Sequence, residues 1–125
     1  MILGTGIDII EVSRIESSCE KFGDRFLKRI LRPEEIAYCF RHRRPGPFLA
    51  ARFAAKEAIS KAFGTGLGRH VGWLDLEVAH KDSGEPFVIL HDRGLTLLRE
   101  RGARTVHLSL SHTEHYAAAV AVLEA

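Results

Sequence analysis

An alanine-rich segment in the middle of the chain, residues 48–63, constrains the fold more than any other feature. It contains six alanines and no glycine or proline, a composition that strongly favours a helix. At 100° per residue, apolar side chains fall on both sides of this helix, with Phe53 on one side and Ile59 and Phe63 on the other. A helix that is apolar on two sides packs from more than one direction, so we expect it at the centre of the molecule.

The remaining segments predict a sheet and several shorter helices around that centre. Ser13 followed by Glu16 fits a capping box and predicts a helix start, and Pro33 predicts another. Runs of β-branched or alternating apolar residues predict strands at residues 2–10, 76–78, 87–90, 106–111 and 116–123. Further short helices are expected at residues 25–30 and 92–101. The pattern predicts a single α+β domain over residues 1–125, with an antiparallel sheet packed against the long central helix and shorter helices.

The composition is that of a soluble globular protein, with 46% apolar and 27% charged residues. No apolar run approaches the roughly 20 residues that a membrane span needs, and no basic leader precedes the first apolar stretch. Cys19 and Cys39 show neither metal-binding nor disulfide spacing. We therefore expect a cytoplasmic protein with two reduced thiols and no membrane partner.

The net charge of the whole chain is only +2, but its basic residues are concentrated in one part of the sequence. Eight Lys and Arg residues lie between Lys21 and Arg44, against three acidic residues. Such a cluster indicates an acidic partner, which can be nucleic acid, a phosphorylated small molecule or an acidic protein. A small nucleic-acid-binding domain is one hypothesis, although no RRM, KH or helix-turn-helix pattern is present.

Asp8 is an unusual residue because it lies between Ile7 and Ile9 in an otherwise apolar strand. A carboxylate there is costly to desolvate unless it is paired or binds a metal. Two interpretations stay open at this point. Asp8 either belongs to a metal or catalytic site, or is a strand-end residue that caps the turn or helix behind it.

Glu57 and Lys61 are four residues apart, so they lie side by side on one face of the long helix. An exposed pair of this kind is common and contributes about 0.3–0.5 kcal/mol. Arg52 and Lys56 add a second basic pair one turn away. A carboxylate flanked by cations also suits magnesium and phosphate, because Mg²⁺ takes one or two protein carboxylates and fills its shell with phosphate oxygens and water.

Two further segments carry weaker signals. Gly64, Gly66 and Gly68 resemble a phosphate-binding loop, but they follow a helix and lack the complete motif, so a helix C-cap and loop is the favoured interpretation. Ser111 and His112 are neighbours in the sequence, and adjacency alone does not indicate a catalytic pair.

Three segments together resemble a known family. They are G-T-G-I-D-I-I-E-V-S-R-I at residues 4–15, R-F-A-A-K-E-A-I-S-K-A-F-G-T-G at 52–66 and L-S-L-S-H-T-E-H-Y-A at 108–117. In this order, and over essentially the full length, the chain resembles the holo-[acyl-carrier-protein] synthases, the small bacterial 4′-phosphopantetheinyl transferases. The resemblance implies an enzyme that transfers the 4′-phosphopantetheine group of coenzyme A to a serine of apo acyl carrier protein. It also implies release of adenosine 3′,5′-bisphosphate and a role in fatty acid biosynthesis.

The resemblance implies roles for the motif residues. Asp8 and Glu57 would bind Mg²⁺ and would form the catalytic set together with Lys61, with the metal bridging the coenzyme A diphosphate. Either Glu57 or a metal-held water would remove the serine proton. The implied coenzyme A contacts are Arg44, Arg52, Lys61, Gly64, Gly66 and His112.

The resemblance also gives the basic cluster a partner, because acyl carrier proteins are acidic and the family binds them on the first helix and the segment after it. The implied carrier-binding residues are Arg14, Lys21, Arg25, Phe26, Lys28 and Arg29. Family members of this length are homotrimers with active sites at subunit interfaces. A homotrimer is therefore expected here as well.

Overall fold

In the computed structural model of residues 1–125, one strand and four α-helices are followed by a β-hairpin, a fifth α-helix and two further strands, which confirms the predicted α+β class. The strands are β1 (Ile2–Glu11), β2 (Leu76–His80), β3 (Pro86–Leu90), β4 (Thr105–His112) and β5 (Tyr116–Glu124). The helices are α1 (Val12–Phe22), α2 (Asp24–Ile30), α3 (Pro33–Cys39), α4 (Gly46–Phe63), α5 (Arg93–Glu100) and a short 3₁₀ helix (Trp73–Asp75). None of these helices is long and apolar enough to span a bilayer.

β5 is the central strand of an antiparallel three-stranded sheet with the order β1-β5-β4, as its apolar sequence predicts. Asp8 of β1 lies opposite Ala119 of β5, and Ile7 lies opposite Val120. Because side chains alternate along a strand, Asp8 and Ile7 face opposite sides of the sheet. β2 and β3 form a separate two-stranded hairpin.

α4 lies at the centre of the molecule and packs against β1 and β5 as well as against α1 and α3. Fourteen of its 18 residues are buried, which confirms the packing on two sides expected from its sequence. The helix begins at Gly46, two residues earlier than predicted. Pro47 is compatible with this start because the N–H that proline lacks has no partner in the first helical turn.

Gly4 and Gly6 bring the backbone of β1 into direct contact with the backbone of α4. A Cβ atom on Gly6 would lie 1.9 Å from the carbonyl oxygen of Ala58, and one on Gly4 would lie 2.0 Å from that of Ala62. No side chain fits between the two elements at these points. The contact therefore sets how β1 lies along α4, and Asp8 is the next residue on the same face of the strand.

α1 begins at Val12, and the capping box predicted from Ser13 and Glu16 is absent. The residue that precedes the helix, Glu11, makes no side-chain capping hydrogen bond. Glu16 instead accepts two hydrogen bonds of 3.0 Å from Arg44. The predicted box is absent because the helix begins one residue before Ser13, which places Ser13 inside the first turn instead of at the capping position.

Three charged residues, Glu35, Arg52 and Lys56, form a buried cluster between α3 and α4. Lys56 Nζ lies 2.7 Å from Glu35 Oε1 and also donates to the carbonyl oxygens of Ile30 and Trp73. Arg52 Nε lies 3.9 Å from Glu35 Oε2. Burial lowers the pKa of Lys56, and the Glu35 carboxylate opposes that effect. Through Lys56, the cluster connects α4 to α3, to Ile30 at the end of α2 and to Trp73 in the 3₁₀ helix.

We predict that Gly6→Ala destabilises the protein by about 2–3 kcal/mol, because the added methyl group forces β1 and α4 apart. Chemical denaturation measures the change in the free energy of unfolding. Thr5→Ala, at the exposed neighbouring position of the same strand, is the matched control and should cost less than about 1 kcal/mol. Equal effects of the two substitutions would contradict the direct backbone contact.

Candidate active site

Asp8, Glu57 and Lys61 meet where β1 passes the C-terminal half of α4. Lys61 Nζ lies 3.2 Å from Asp8 Oδ1 and donates to the carbonyl oxygen of Ile7 at 2.9 Å. The Asp8 side chain is 19% exposed and that of Lys61 is 50% exposed. A cavity of about 300 Å³ opens beside this pair, so both charged groups are accessible to a ligand.

Lys61 forms its ion pair with Asp8 and not with Glu57, its neighbour one helical turn earlier. The ordinary helical ion pair that the spacing allows is therefore not formed. The reason is tertiary, because the close approach of β1 brings a second carboxylate to the Lys61 ammonium.

The Glu57 carboxyl has an unusual electrostatic environment. Burial raises its pKa, the nearby Asp8 charge raises it further, and Lys61 opposes both effects. Two carboxylates that repel each other in a partly buried site are stabilised by a bound cation. Oxygen ligands from one or two carboxylates fit Mg²⁺, whose shell is completed by phosphate oxygens and water. Asp8 and Glu57 could hold this ion as a pair of carboxylates, since the structure contains no group of three or more His, Cys, Asp or Glu residues placed to hold a metal ion.

The glycine loop after α4 is a helix cap, as its position in the sequence favours. Gly64 has a left-handed backbone with φ of 81°, and its N–H donates to the carbonyl oxygen of Lys61. The N–H groups of Thr65 and Gly66 both donate to the carbonyl oxygen of Ser60. These three amides are therefore already paired within the chain. Any contact of Gly64 or Gly66 with coenzyme A is not made by a cradle of free backbone N–H groups.

Arg44 and His112 lie near the other end of α4. Arg44 binds Glu16 and donates to the carbonyl oxygen of Glu114 at 3.0 Å, while the His112 ring meets Phe48 edge-on with the ring centroids 4.8 Å apart. Phe48 and Gly64 are separated by about 24 Å along the helix, at 1.5 Å per residue. One chain therefore presents the predicted coenzyme A residues as two separate groups.

Arg52, for which the resemblance implies a coenzyme A contact, belongs to neither group. Its side chain is 2% exposed, and its guanidinium lies 4.2 Å from the centroid of the Tyr38 ring. The spacing of Arg52 and Lys56 along the sequence indicated that they flank Glu57, but the structure shows that they do not. They are one turn apart on the face of α4 that meets Glu35, and Glu57 is turned about 100° from Lys56 around the helix axis.

The predicted carrier-binding residues form an exposed basic surface on α1 and α2. They are Arg14, Lys21, Arg25, Phe26, Lys28 and Arg29. All five cations are exposed, and none lies within ion-pair distance of a carboxylate. The aromatic residue is half-buried and packs against the core. This surface therefore carries positive charge that the chain itself does not neutralise.

Glu35 is the structurally important residue that the sequence analysis missed. Its position after Pro33 indicates a carboxylate at the positive end of α3, and Glu35 Oε1 does accept a hydrogen bond from the Arg32 N–H. Its stronger partner, Lys56, lies 21 residues further along the chain. No local pattern in the sequence could have indicated that pairing.

Comparison with known proteins decides the family. Residues 4–121 match the family model described as 4'-phosphopantetheinyl transferase superfamily. The chain belongs to this superfamily. The resemblance drawn from the three sequence motifs is thereby confirmed, and the chain is an enzyme of the transferase class. The only observation in favour of the nucleic-acid-binding hypothesis is the basic cluster between Lys21 and Arg44.

The most similar proteins agree over nearly their whole length. A holo-[acyl-carrier-protein] synthase of Koribacter versatilis is 51% identical over 124 residues, which are 99% of each chain. A crystal structure of the holo-[acyl-carrier-protein] synthase from Neisseria meningitidis superposes with a TM-score of 0.93 at 38% identity and covers 100% of both chains. The Helicobacter pylori synthase, solved in complex with coenzyme A, gives 0.86 at 32% identity, with 96% of this chain and 99% of that one covered.

Proposed function

We propose that this chain transfers the 4′-phosphopantetheine group of coenzyme A to a serine hydroxyl of apo acyl carrier protein, releasing adenosine 3′,5′-bisphosphate, in support of fatty acid biosynthesis. The main support for this proposal is that Asp8, Glu57 and Lys61 lie together at one accessible surface in a chain that belongs to this superfamily. The names of its relatives support the same substrates, and one solved relative contains coenzyme A.

The chemistry requires a serine oxygen to attack the β-phosphorus of coenzyme A while negative charge builds on the leaving phosphate. When bound by Asp8 and Glu57, Mg²⁺ would offset the charge of the diphosphate. The Lys61 ammonium, which is half-exposed, would stabilise phosphate charge on the leaving group. The Glu57 carboxylate is one candidate acceptor for the serine proton.

The same geometry limits which residues we assign to coenzyme A. Arg44 and His112 at one end of α4, and Lys61 with the Gly64–Gly66 loop at the other, remain the proposed contacts. Arg52 is left out because its guanidinium is almost fully buried against Tyr38. The two proposed groups would bind different parts of an extended ligand.

The proposal predicts that apo acyl carrier protein gains one phosphopantetheine, detected by mass spectrometry, when incubated with this chain, coenzyme A and Mg²⁺. Asp8→Asn and Glu57→Gln should each lower the rate at least about 100-fold, because the diphosphate loses its counter-charge, and EDTA should stop the reaction. Asp82→Asn, which removes an exposed carboxylate in the β2–β3 turn, is the control and should retain activity. Near-normal rates in EDTA or in either folded site variant would refute the assignment.

We further propose that the basic surface on α1 and α2 binds the carrier protein. Its five unpaired cations favour an acidic partner, and complementary charges mainly increase the association rate and orient the partner. Charges of this kind are screened by salt over about 8 Å at physiological ionic strength.

Replacing Arg14 and Arg25 by Glu should therefore raise the KM for the carrier several-fold and leave the KM for coenzyme A nearly unchanged. The wild-type KM for the carrier should rise with added NaCl, and that of the variant should rise less steeply. Arg99→Glu combined with Arg104→Glu, two charge reversals at exposed positions in and just after α5, controls for the same change in net charge. Identical salt dependence in wild type and double variant would place the docking surface elsewhere.

We propose a homotrimer with active sites between subunits. The sheet face that points away from α4 is apolar and open to solvent, with Ile7 66%, Ile9 68% and Val120 42% exposed. The cavity beside Asp8 and Lys61 is also lined by Ile7 and Ile9, so the catalytic residues lie at the edge of this apolar face. A large exposed apolar patch indicates a protein–protein interface, and a second subunit there could complete the separated coenzyme A site.

Val120→Arg should dissociate this assembly, because it places a charge in the centre of the apolar face. Light scattering coupled to size-exclusion chromatography should give about three times the 13.9 kDa chain mass for the wild type and a smaller mass for the variant. Transfer activity should fall with the mass, while circular dichroism stays unchanged. Leu95→Arg, at an exposed apolar position of α5, is the matched control. A monomeric wild type with full activity would contradict the proposal.

A further inference from the structure

An apolar groove lies outside the candidate active site, between the end of α2, α3 and the 3₁₀ helix. Its volume is about 540 Å³, within the range of roughly 300–1,000 Å³ that is typical of ligand-binding clefts. Its walls are formed by Leu31, Pro33, Ile36, Ala37 and Leu74. None of these residues has a part in the transfer chemistry proposed above.

The groove is open to solvent and is not filled by the chain itself. Leu74 is 41% exposed, and Pro33 and Ala37 are also exposed. Each square ångström of apolar surface left in water forgoes about 25 cal/mol. A contiguous apolar hollow with a polar rim is characteristic of an interaction site.

The rim of the groove is basic and continues the basic surface of α1 and α2. Arg25, Lys28 and Arg29 of α2 have the spacing i, i+3 and i+4, which places their side chains along one face of that helix. Lys28 and Arg32 line the groove itself. Arg32 Nη1 donates to the carbonyl oxygen of Leu74 at 2.7 Å, and this bond holds the guanidinium at the edge of the groove.

We propose that this groove receives apolar side chains of the acidic protein that binds to α1 and α2. The inference rests on the proposed function, in which that protein is the carrier substrate. The choice of this protein as the ligand of the groove rests on Lys28, which belongs both to the unpaired basic surface and to the rim of the groove. A partner that brings acidic residues to α2 also brings its neighbouring apolar residues to the groove.

A second copy of the chain is a poorer occupant. Symmetric pairing through this groove would bring Arg25, Lys28 and Arg29 of one copy towards the same cations of the other, and such like-charge contacts are costly. The two parts of the surface then have different tasks. The cations accelerate and orient the encounter, and the groove holds the bound partner, so its loss acts mainly on the dissociation rate.

The test uses Ala37→Trp, which fills the groove from an exposed helix position, and Ala37→Glu, which places a negative charge there. Thr96→Trp, at an exposed position of α5, is the matched control. Calorimetry measures the Kd for a carrier protein whose acceptor serine is replaced by alanine, and mass spectrometry measures transfer to the unmodified carrier. Both Ala37 variants should raise the Kd about tenfold, the change expected for one lost anchor. The KM for coenzyme A should not change.

Salt dependence separates the groove from the basic surface. Ala37→Trp removes no charge, so its Kd should vary with NaCl as steeply as that of the wild type. Wild-type Kd values in both Ala37 variants, with normal transfer, would overturn this inference alone. Saturable binding of dodecanoate that Ala37→Trp abolishes, with carrier affinity unchanged, would also overturn it by making the groove a site for small amphiphiles. No transfer by the wild type would overturn the proposed function and this inference with it.

Discussion

The direct contact between the backbones of β1 and α4 is the constraint on which the site depends. Gly4 and Gly6 leave no side chain between the strand and the carbonyl oxygens of Ala58 and Ala62. Asp8 follows on the same face of β1, and the approach brings its carboxylate to 3.2 Å from the Lys61 ammonium. A wider spacing would separate the two halves of the catalytic set, one carried by the strand and the other by the helix.

A second constraint holds the opposite side of α4. Glu35 accepts hydrogen bonds from Lys56 and from the N–H of Val78, so one buried carboxylate joins α3, α4 and β2. Buried ion pairs contribute little net stability relative to apolar residues, but removal of one partner is costly because it leaves a buried charge unpaired. The cluster therefore specifies how these elements fit together. It also accounts for the basic residues of α4 that take no part in the candidate site.

These two constraints separate chemistry from recognition. The catalytic set lies beside the apolar outer face of the sheet, where Ile7 and Ile9 are exposed. The basic surface and its groove lie on α1, α2 and α3. A carrier protein bound at the basic surface would have to present its serine at the proposed catalytic set.

The sequence by itself determined the α+β class and the central position of α4, and its motifs indicated the three residues of the proposed catalytic set. Those features depend on local composition, on the apolar pattern of one helix and on motifs that are contiguous in the chain. Tertiary structure alone decided that Lys61 pairs with Asp8, that Glu16 pairs with Arg44, and that Arg52 and Lys56 are buried on Glu35. In each case a charged side chain has several possible partners of opposite charge, and the partner it contacts is far away in the sequence. Charge and helical spacing leave such choices open, and only the packing of β1, α1 and α3 around α4 resolves them.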